Sequence, residues 1–433
     1  MKSIFVKGLF GKFDYNIIFK EDRLTILTGP NGYGKSTILR IINNLSKGVQ
    51  GFIQLMSTNF SSIKLCFDDK TYEITRTNDR FEINGKDIKK SIQKIAEDLI
   101  GSGLYRDIDD EIRYYRNYDS YFKSYNYIQL LSSKLEDLSL EDVKLLNYGE
   151  RILSKNKDVY GLITEIKEKI GEIHFIKEQR LIQPQKKTEK NRVKREIVEV
   201  ITEIPVKLRG KILDVAASYS QISTQLDSSY PSRLLRNQTT ITEEEFILKN
   251  EETKTKYNKL REYDLTPEQP IDEMNYKEEF SKALSVYFDD FKNKYSVFEP
   301  LVNQLDIYTD IINNRLSFKK IQIKKDIGLS VVNDKGENIE LSQLSSGEQQ
   351  EIVLFYELIF EASKGCLLLI DEPEISLHIA WQRMFIHDLI KVSDYKKFHI
   401  IIATHSPQII DNRWDNQIDL GELFDEFNNI KPK

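Results

Sequence analysis

The segment Gly29–Thr37, near the start of the chain, has the residue types and spacing best suited to chemistry. Its sequence, GPNGYGKST, fits the pattern GxxxxGK[ST] between an apolar β-type run and a helical stretch. Glycines in such a loop let backbone N–H groups face a phosphate, while the lysine reaches phosphate oxygens and the next hydroxyl binds Mg²⁺. We therefore expect ATP and Mg²⁺ to bind here through Asn31, Gly32, Gly34, Lys35, Ser36 and Thr37.

Two carboxylates, Asp371 and Glu372, follow the apolar run Leu367–Ile370. The run predicts a buried strand, and an acid at the end of such a strand can hold Mg²⁺. The pattern predicts that Asp371 binds the same Mg²⁺ as Ser36 and that Glu372 orients an attacking water. Two acids at this position also occur in solvated turns, but the phosphate-binding loop in the same chain favours the metal site.

The segment Leu344–Gln350, LSSGEQQ, resembles the signature sequence of ABC-type ATPases. The resemblance implies that Ser345 and Gly347, at the start of a helix, contact the γ-phosphate bound by the opposite subunit. Taken alone, Ser-Ser-Gly-Glu is also an ordinary helix N-cap. Its place between the two motifs above favours the signature, and the resemblance then implies a pair of heads that encloses two ATP molecules. Glu374–His378 stands where this class has its D-loop, across the dimer interface.

Two further residues are assigned by the same resemblance. Ala403–Pro407, ATHSP, follows a strand-like run and resembles the switch-histidine motif, which implies that His405 reaches the γ-phosphate. Gln179 is assigned to the glutamine-loop position, where it would contact the nucleotide and Mg²⁺. Glu178 and Arg180 compete with it for that role.

The elements that must position these residues are of mixed type. The N-terminal third predicts strands around the phosphate-binding loop, antiparallel hairpins over Ile53–Ile83, and helices over residues 88–172. A tyrosine-rich stretch from Tyr105 to Tyr127 is interleaved with arginines and lysines, which is typical of a partner surface, of helix packing or of base stacking. The last third predicts α/β structure.

The middle of the chain predicts two amphipathic helices, around Leu208–Leu226 and Phe280–Tyr295, separated by a polar, turn-rich stretch. A basic run, Lys186–Arg195, precedes them and is interpreted as a solvated loop, with phosphate contact as the alternative. The predicted fold class is α/β: an ABC-type P-loop ATPase head with an antiparallel β subdomain and a helical insertion. The predicted domains are residues 1–182, 183–315 and 316–433, the first and last forming the two halves of the head.

Composition limits the other classes of function. The 433 residues carry a net charge of -5, so there is no overall basic field of the kind that drives nonspecific nucleic-acid binding. The two cysteines, Cys66 and Cys366, lie in apolar runs and offer no disulfide framework. The sequence has neither a signal-peptide pattern nor an apolar run of membrane-spanning length, which predicts a cytoplasmic location and no membrane contact.

The motifs from Gly29 to His405 together resemble the ABC/SMC-like AAA ATPases, the group containing RecF, Rad50 and the overcoming-lysogenisation-defect (OLD) proteins. Four segments further resemble the ATPase subunits of bacterial phage-defence modules such as PARIS and Septu: Gly8–Tyr15, Gly29–Lys35, Tyr219–Ser223 and Leu226–Arg233. The resemblance implies an infection-sensing or scaffolding ATPase that works with a separately encoded nuclease, a Toprim protein in PARIS-type systems.

Two functional classes follow. The first is a defence ATPase that holds and releases a nuclease effector and responds to a phage-encoded trigger. It is at least a homodimer, with a higher oligomer of dimers as the alternative. The second is a DNA-repair or chromosome-maintenance ATPase that clamps DNA when its heads close. The acidic balance and the short helical insertion favour the first class, in which DNA contact is possible but not required.

Overall fold

The computed structural model describes residues 1–77, 79–89, 157–177, 181–189, 192–266, 275–375 and 377–429. The chain forms two compact units, one from Met1–Glu178 together with Ala362–Lys433 and the other from Gln179–Glu361. Over the described ranges, no helix combines the length and the apolar character needed to cross a membrane. The tyrosine-rich stretch 105–127 lies outside these ranges.

The first unit opens with strands, the phosphate-binding loop and two helices, followed by hairpins. Its elements in this part are β1 (Ser3–Leu9), β2 (Phe13–Ile18), β3 (Leu24–Thr28), α1 (Lys35–Ser46), α2 (Val49–Ser57), β4 (Ser62–Cys66), β5 (Thr71–Arg76), β6 (Phe81–Ile83) and β7 (Lys86–Asp87). An antiparallel sheet runs in the order β2-β1-β4-β5-β6-β7. Its strands alternate buried and exposed side chains, as a sheet with one covered face requires. The predicted antiparallel β subdomain is confirmed.

Helix α2 corrects the sequence analysis, which placed hairpins from Ile53 onward. The segment Val49–Ser57 is helical because its nearly continuous apolar residues pack on α1 and the sheet, a burial pattern that a short apolar run does not distinguish from a strand. Helix α3 (Lys157–Ile170) and strand β8 (Ile173–Ile176) complete this part.

The second unit combines a hairpin, long helices and a small sheet. Its elements are β9 (Ile182–Glu189), β10 (Arg192–Glu199), α4 (Val200–Arg236), α5 (Glu243–Glu262), α6 (Ser281–Asn313), β11 (Lys319–Lys324), β12 (Gly328–Asn333), β13 (Asn338–Ile339) and α7 (Ser346–Tyr356), which ends in one π-helical turn, Glu357–Glu361. Bidentate pairing of Arg233 with Asp290 joins α4 to α6. Tyr308 on α6 donates a 3.0 Å hydrogen bond to the carbonyl of Ile352 on α7.

Two expectations about this unit are wrong. The basic run interpreted as a loop lies in the hairpin β9–β10, whose antiparallel pairing depends on contacts between segments rather than on local composition. The polar stretch between the two amphipathic helices contains α5, which begins at a capping box formed by Thr242 and Glu245. That N-terminal signal is present in the sequence, but α5 lacks a clear apolar stripe.

The chain then returns to the first unit with β14 (Leu367–Asp371), α8 (Ile379–Lys396), β15 (His399–Ala403), α9 (Pro407–Ile410), β16 (Gln417–Asp419) and α10 (Leu420–Asn429). A parallel sheet runs in the order β16-β3-β15-β14-β8. Its central strands are apolar and buried, as expected for a parallel sheet covered on both faces. The predicted α/β class with a P-loop ATPase head is confirmed.

Candidate nucleotide-binding site

The register of the parallel sheet brings the predicted motifs to one edge. Asp371 at the end of β14 pairs with Ala403 at the end of β15, and Ala403 pairs with Leu27 near the end of β3. The phosphate-binding loop, the acidic pair and His405 each follow one of these strands. Since carboxyl ends of parallel strands meet along one edge, residues more than 300 positions apart in sequence become neighbours.

The phosphate-binding loop depends on its glycines for backbone shape and close packing. Gly34 has a φ of 89°, and a Cβ there would lie 2.7 Å from Leu9 Cδ2, so a larger residue would be both strained and crowded. Gly34 is also the N-cap of α1, and no side chain among the described residues caps this helix. The first N–H groups of α1 can therefore donate hydrogen bonds to a bound anion, and the helix dipole also favours negative charge at this end.

Lys35 and Ser36 begin α1 and point into the site. Lys35 is 5% exposed and its Nζ donates a 3.0 Å hydrogen bond to the carbonyl of Gly29. Burial lowers the pKa of Lys35, opposed by the charge of Glu372. A buried ammonium at the entrance of a helix N-terminus fits a phosphate group, because the added anion would neutralise it.

The oxygen atoms expected to bind a metal lie side by side. Ser36 Oγ donates a 2.8 Å hydrogen bond to Asp371 Oδ1, and Asp371 is 5% exposed. A hydroxyl and a carboxylate are hard oxygen ligands of the type that Mg²⁺ prefers, and Mg²⁺ needs only one or two protein ligands beside phosphates and water. The two residues therefore fit the predicted metal site.

Glu372 and His405 face Lys35. Lys35 Nζ lies 3.9 Å from Glu372 Oε1 and contacts the ring of His405, and His405 Nε2 lies 3.2 Å from the same Glu372 oxygen. Burial raises the pKa of Glu372 to about 8, with a further contribution from the charge of Glu374. Burial and then the charge of Lys35 lower the pKa of His405. Glu372 has a φ of 46°, a strained backbone of the kind that occurs at functional sites.

Sequence reasoning missed the role of Glu374 inside this unit. Its Oε1 accepts hydrogen bonds from Thr404 Oγ1 (2.7 Å), the backbone N–H of His405 (2.6 Å) and that of Ser406 (3.1 Å). The sequence analysis assigned Glu374 only to a segment expected at a dimer interface. Its place two residues after Glu372 is the only signal, and nothing in the sequence indicates the long-range partners.

The segment after Ile410 supports the phosphate-binding loop. Strand β16 pairs with β3, and Asp419 Oδ2 accepts a 2.8 Å hydrogen bond from Thr28 Oγ1, immediately before the phosphate-binding loop. The second carboxylate oxygen of Asp419 accepts the backbone N–H of Gly421 at 2.8 Å. Asp419 thereby joins the loop to the C-terminal helix.

The other predicted residues have different positions. Asn31 and Gly32 are exposed in the loop, and Thr37 is half-buried in the first turn of α1. Ser345 and Gly347 belong to the second unit, and Gln179 lies outside the described residues. Ser345 is the exposed N-cap of α7, where its Oγ accepts the backbone N–H of Glu348 and its own N–H donates to Glu348 Oε2.

Glu348, on helix α7, is held in turn by Lys319 on β11. Lys319 Nζ donates to the two carboxylate oxygens of Glu348 at 2.9 and 3.0 Å. The capping box that fixes Ser345 is therefore anchored to a neighbouring strand. The sequence indicates the cap through Ser345 and Glu348, but it does not indicate Lys319.

The parallel sheet, the glycine loop leading into α1 and the Lys–Ser–Asp grouping define a P-loop ATPase head. The chain belongs to the family described as "AAA ATPase domain", whose model matches residues 1–410. A comparison with curated proteins finds no match.

Solved structures similar to the chain include SMC head domains. One is the Pyrococcus furiosus Smc head with an extended coiled coil bound to the C-terminal domain of ScpA, at 13% identity and a TM-score of 0.38, covering 100% of this chain and 99% of that one. Another is the Thermotoga maritima SMC head, at 11% identity and a TM-score of 0.32, covering 95% and 90% of the two chains.

Proposed function

We propose that the protein is a Mg²⁺-dependent ATP hydrolase whose heads pair around the nucleotide. The main support is that five residues lie together at one edge of the parallel sheet: Lys35, Ser36, Asp371, Glu372 and His405. Asn31, Gly32, Gly34 and Thr37 belong to the same loop and its helix. Gln179 remains the proposed glutamine-loop residue.

Each side chain has a separate task in this proposal. Lys35 and the first N–H groups of α1 bind the phosphates, and Ser36 and Asp371 hold Mg²⁺. Bound Mg²⁺ supplies neutralising charge to the phosphate oxygens. Glu372 orients the attacking water and accepts its proton, because its carboxylate lies beside Lys35 and His405, the side chains that bind the phosphates in this proposal. His405 donates a hydrogen bond to the terminal phosphate.

The signature residues complete a composite site in this proposal. Ser345 and Gly347 lie at the N-terminus of α7, whose dipole favours an anion. By resemblance to ABC-type heads, they contact the terminal phosphate held by a partner copy, which requires at least a homodimer and allows an oligomer of dimers. The capping box and Lys319 fix the geometry that this contact needs.

Two substitutions test the enzymatic part. Glu372→Gln keeps the size of the side chain and removes the proton acceptor, so turnover falls by about 100-fold or more while the ATP-bound pair accumulates. Lys35→Ala abolishes nucleotide binding at its own site. Steady-state turnover and light scattering with ATP measure both effects. Full turnover by Glu372→Gln would remove this residue from the mechanism.

The biological role that we propose is anti-phage defence. The ATPase senses infection through a phage-encoded trigger and, under ATP control, binds and releases a separately encoded Toprim-type nuclease. The support is the resemblance of Gly8–Tyr15, Tyr219–Ser223 and Leu226–Arg233 to ATPase subunits of PARIS and Septu modules. Co-expression with a neighbouring nuclease gene, pull-down with wild-type and Glu372→Gln chains, and phage plating test it. Protection by the chain alone, with no partner bound in any nucleotide state, contradicts it.

One observation favours the alternative of a DNA clamp. The register of the hairpin β9–β10 sets Lys186 opposite Arg195 and Lys187 opposite Lys194. A basic run of this kind suits a bound polyanion such as the phosphate backbone of DNA. Duplex binding measured across a salt series discriminates the two roles. A steep fall of DNA affinity with rising salt, which becomes less steep in the double variant Lys187→Gln/Lys194→Gln, supports the clamp. Absence of DNA binding in the presence of ATP supports the effector scaffold.

A further inference from the structure

The loop after β14 and the loop after β15 are joined by a single carboxylate oxygen. Glu374 Oε1 accepts three hydrogen bonds, one from the hydroxyl of Thr404 and two from the backbone N–H groups of His405 and Ser406. Thr404 is fully buried and Ser406 is 8% exposed, so these donors have little access to water. Removing the acceptor would take this partner from the buried Thr404 hydroxyl and from the His405 N–H, which is costly, while the Ser406 N–H keeps a second acceptor, Thr404 Oγ1 at 3.0 Å.

A second residue reinforces the same junction. Gln382, in the first turn of α8, accepts a 2.7 Å hydrogen bond from Ser406 Oγ through its Oε1 and donates a 3.0 Å hydrogen bond to the carbonyl of Leu377 through its Nε2. Glu374 is thus connected directly to the segment from Thr404 to Ser406, and Leu377 is connected to it through Gln382. Each segment is constrained by the other.

We propose that Glu374 is a positioning residue that sets the direction of the His405 side chain by holding the backbone on both sides of its Cα. The N–H of His405 precedes its Cα and the N–H of Ser406 follows it, so both dihedral angles of His405 are fixed from one oxygen. These hydrogen bonds act on the backbone of His405, and the charge of Glu374 acts separately on its neighbour Glu372.

Pairing of the heads would act on His405 through Glu374. This step rests on the proposed pairing of heads and on the resemblance that sets Glu374–His378 across the dimer interface. A displacement of that segment on pairing would move Glu374 Oε1 and therefore the backbone of His405. Glu374 then links the contact between heads to the orientation of the residue that reaches the terminal phosphate.

The test compares Glu374→Ala with Glu374→Gln. The amide oxygen of glutamine accepts the same three hydrogen bonds, and since all three partners are donors, they orient that oxygen toward themselves. Alanine removes the acceptor. Thr404→Val removes the hydroxyl donor but keeps both backbone donors. Glu168→Ala, which removes an exposed carboxylate from α3 in the same unit, is the matched control.

The first readout is hydrogen exchange of Ala403–Gln408 in protein without nucleotide, which does not depend on catalysis. Glu374→Ala should exchange at least about tenfold faster in this segment, while Glu374→Gln and Glu168→Ala keep wild-type protection. Circular dichroism melting verifies that each variant is folded. If Glu374→Ala does not fold, Thr404→Val tests the proposal in its place. This variant should exchange faster than wild type over Ala403–Gln408, by a smaller factor than expected for Glu374→Ala.

The second readout is the split between kcat and KM for ATP. Glu374→Ala should have a kcat roughly tenfold or more below that of Glu374→Gln, with KM changed less than about threefold, because both variants lose the charge next to Glu372 and only alanine also loses the acceptor that acts through His405. Unchanged protection of Ala403–Gln408 in Glu374→Ala overturns the proposal, as does equal loss of kcat in both variants. A chain with no ATPase activity refutes the proposed function, while hydrogen exchange still decides the role of Glu374.

Discussion

Ser36 Oγ and Asp371 Oδ1 are joined by a 2.8 Å hydrogen bond across 335 positions of sequence. The contact depends on two local features, the start of α1 directly after the glycine loop and the end of β14 at the same edge of the sheet. Because both oxygens face one point, loss of either should weaken the same metal site.

We therefore predict that Ser36→Ala and Asp371→Asn each raise the Mg²⁺ concentration needed for half-maximal ATPase activity by about tenfold or more, since each removes one oxygen ligand. EDTA should abolish activity and added Mg²⁺ should restore it. A Mg²⁺ titration at saturating ATP measures the shift. Ser46→Ala is the control, because that hydroxyl donates to a carbonyl of its own helix. An unchanged Mg²⁺ dependence in Asp371→Asn would exclude it as a ligand.

The close packing of helix α1 against helix α2 depends on Gly51 in α2. A Cβ at Gly51 would lie 1.6 Å from the backbone oxygen of Asn44 in α1, so Gly51→Ala must separate the two helices. We expect it to lower the free energy of unfolding by about 1–3 kcal/mol and to weaken ATP binding, since α1 carries Lys35 and Ser36.

Gly161 in helix α3 provides the matched comparison. A Cβ there meets no described atom within 4 Å, so Gly161→Ala should stabilise the protein by up to about 1 kcal/mol through helix propensity. Urea unfolding of both variants and titration with a fluorescent ATP analogue measure the effects. Equal stability changes in the two variants would contradict the close approach at Gly51.

Much of this fold could be predicted where the signal is local. The run Leu24–Thr28, the glycine loop and the helix after it are recognisable within about twenty residues, and the apolar run before Asp371 is equally clear. The cap of α7 is present in the sequence as Ser345 and Glu348. These features depend on hydrophobic periodicity and on capping, which act between near neighbours.

Features that depend on distant partners could not be predicted. Strand β16 has three residues, and it is a strand because it pairs with β3 almost 400 positions earlier. Glu374 is an ordinary glutamate after a proline, and its role follows from three donors about 30 positions away. Helix α5 has a clear N-cap, but its weak apolar stripe gave no helical periodicity. In each case the deciding interaction is tertiary.

The anchoring of helix α7 by Lys319 predicts a pH dependence of stability. Burial alone would raise the pKa of Glu348, but hydrogen bonds from Lys319 and Ser345 outweigh it, so the pKa is lowered from its ordinary value of 4.5. A group with a depressed folded-state pKa stabilises the protein above its unfolded pKa, and that contribution is lost as the pH falls through the folded value.

We accordingly expect Glu348→Gln to be less stable than wild type by about 1–3 kcal/mol at pH 7, with the difference decreasing as the pH falls below about 4.5. Circular dichroism melting between pH 3 and pH 7 measures this dependence. Glu340→Gln, an exposed change near the same helix, is the control. A stability difference that stays constant down to pH 3 would contradict the charge-assisted anchor.

The proposed composite site predicts that two inactive variants complement each other when mixed. If Lys35 and Ser345 act on the same nucleotide from opposite subunits, Lys35→Ala and Ser345→Arg chains are each inactive alone, yet a mixed pair has one intact site. Random pairing of equal amounts makes half of the pairs mixed, so activity should recover to roughly a quarter of wild type for independent sites. ATPase assays after mixing, with native mass spectrometry to count mixed pairs, measure this recovery. The control is a chain with both substitutions, which restores nothing when mixed with Lys35→Ala. Mixed pairs with no activity above the separate variants would mean that the two residues do not share a site across the pair.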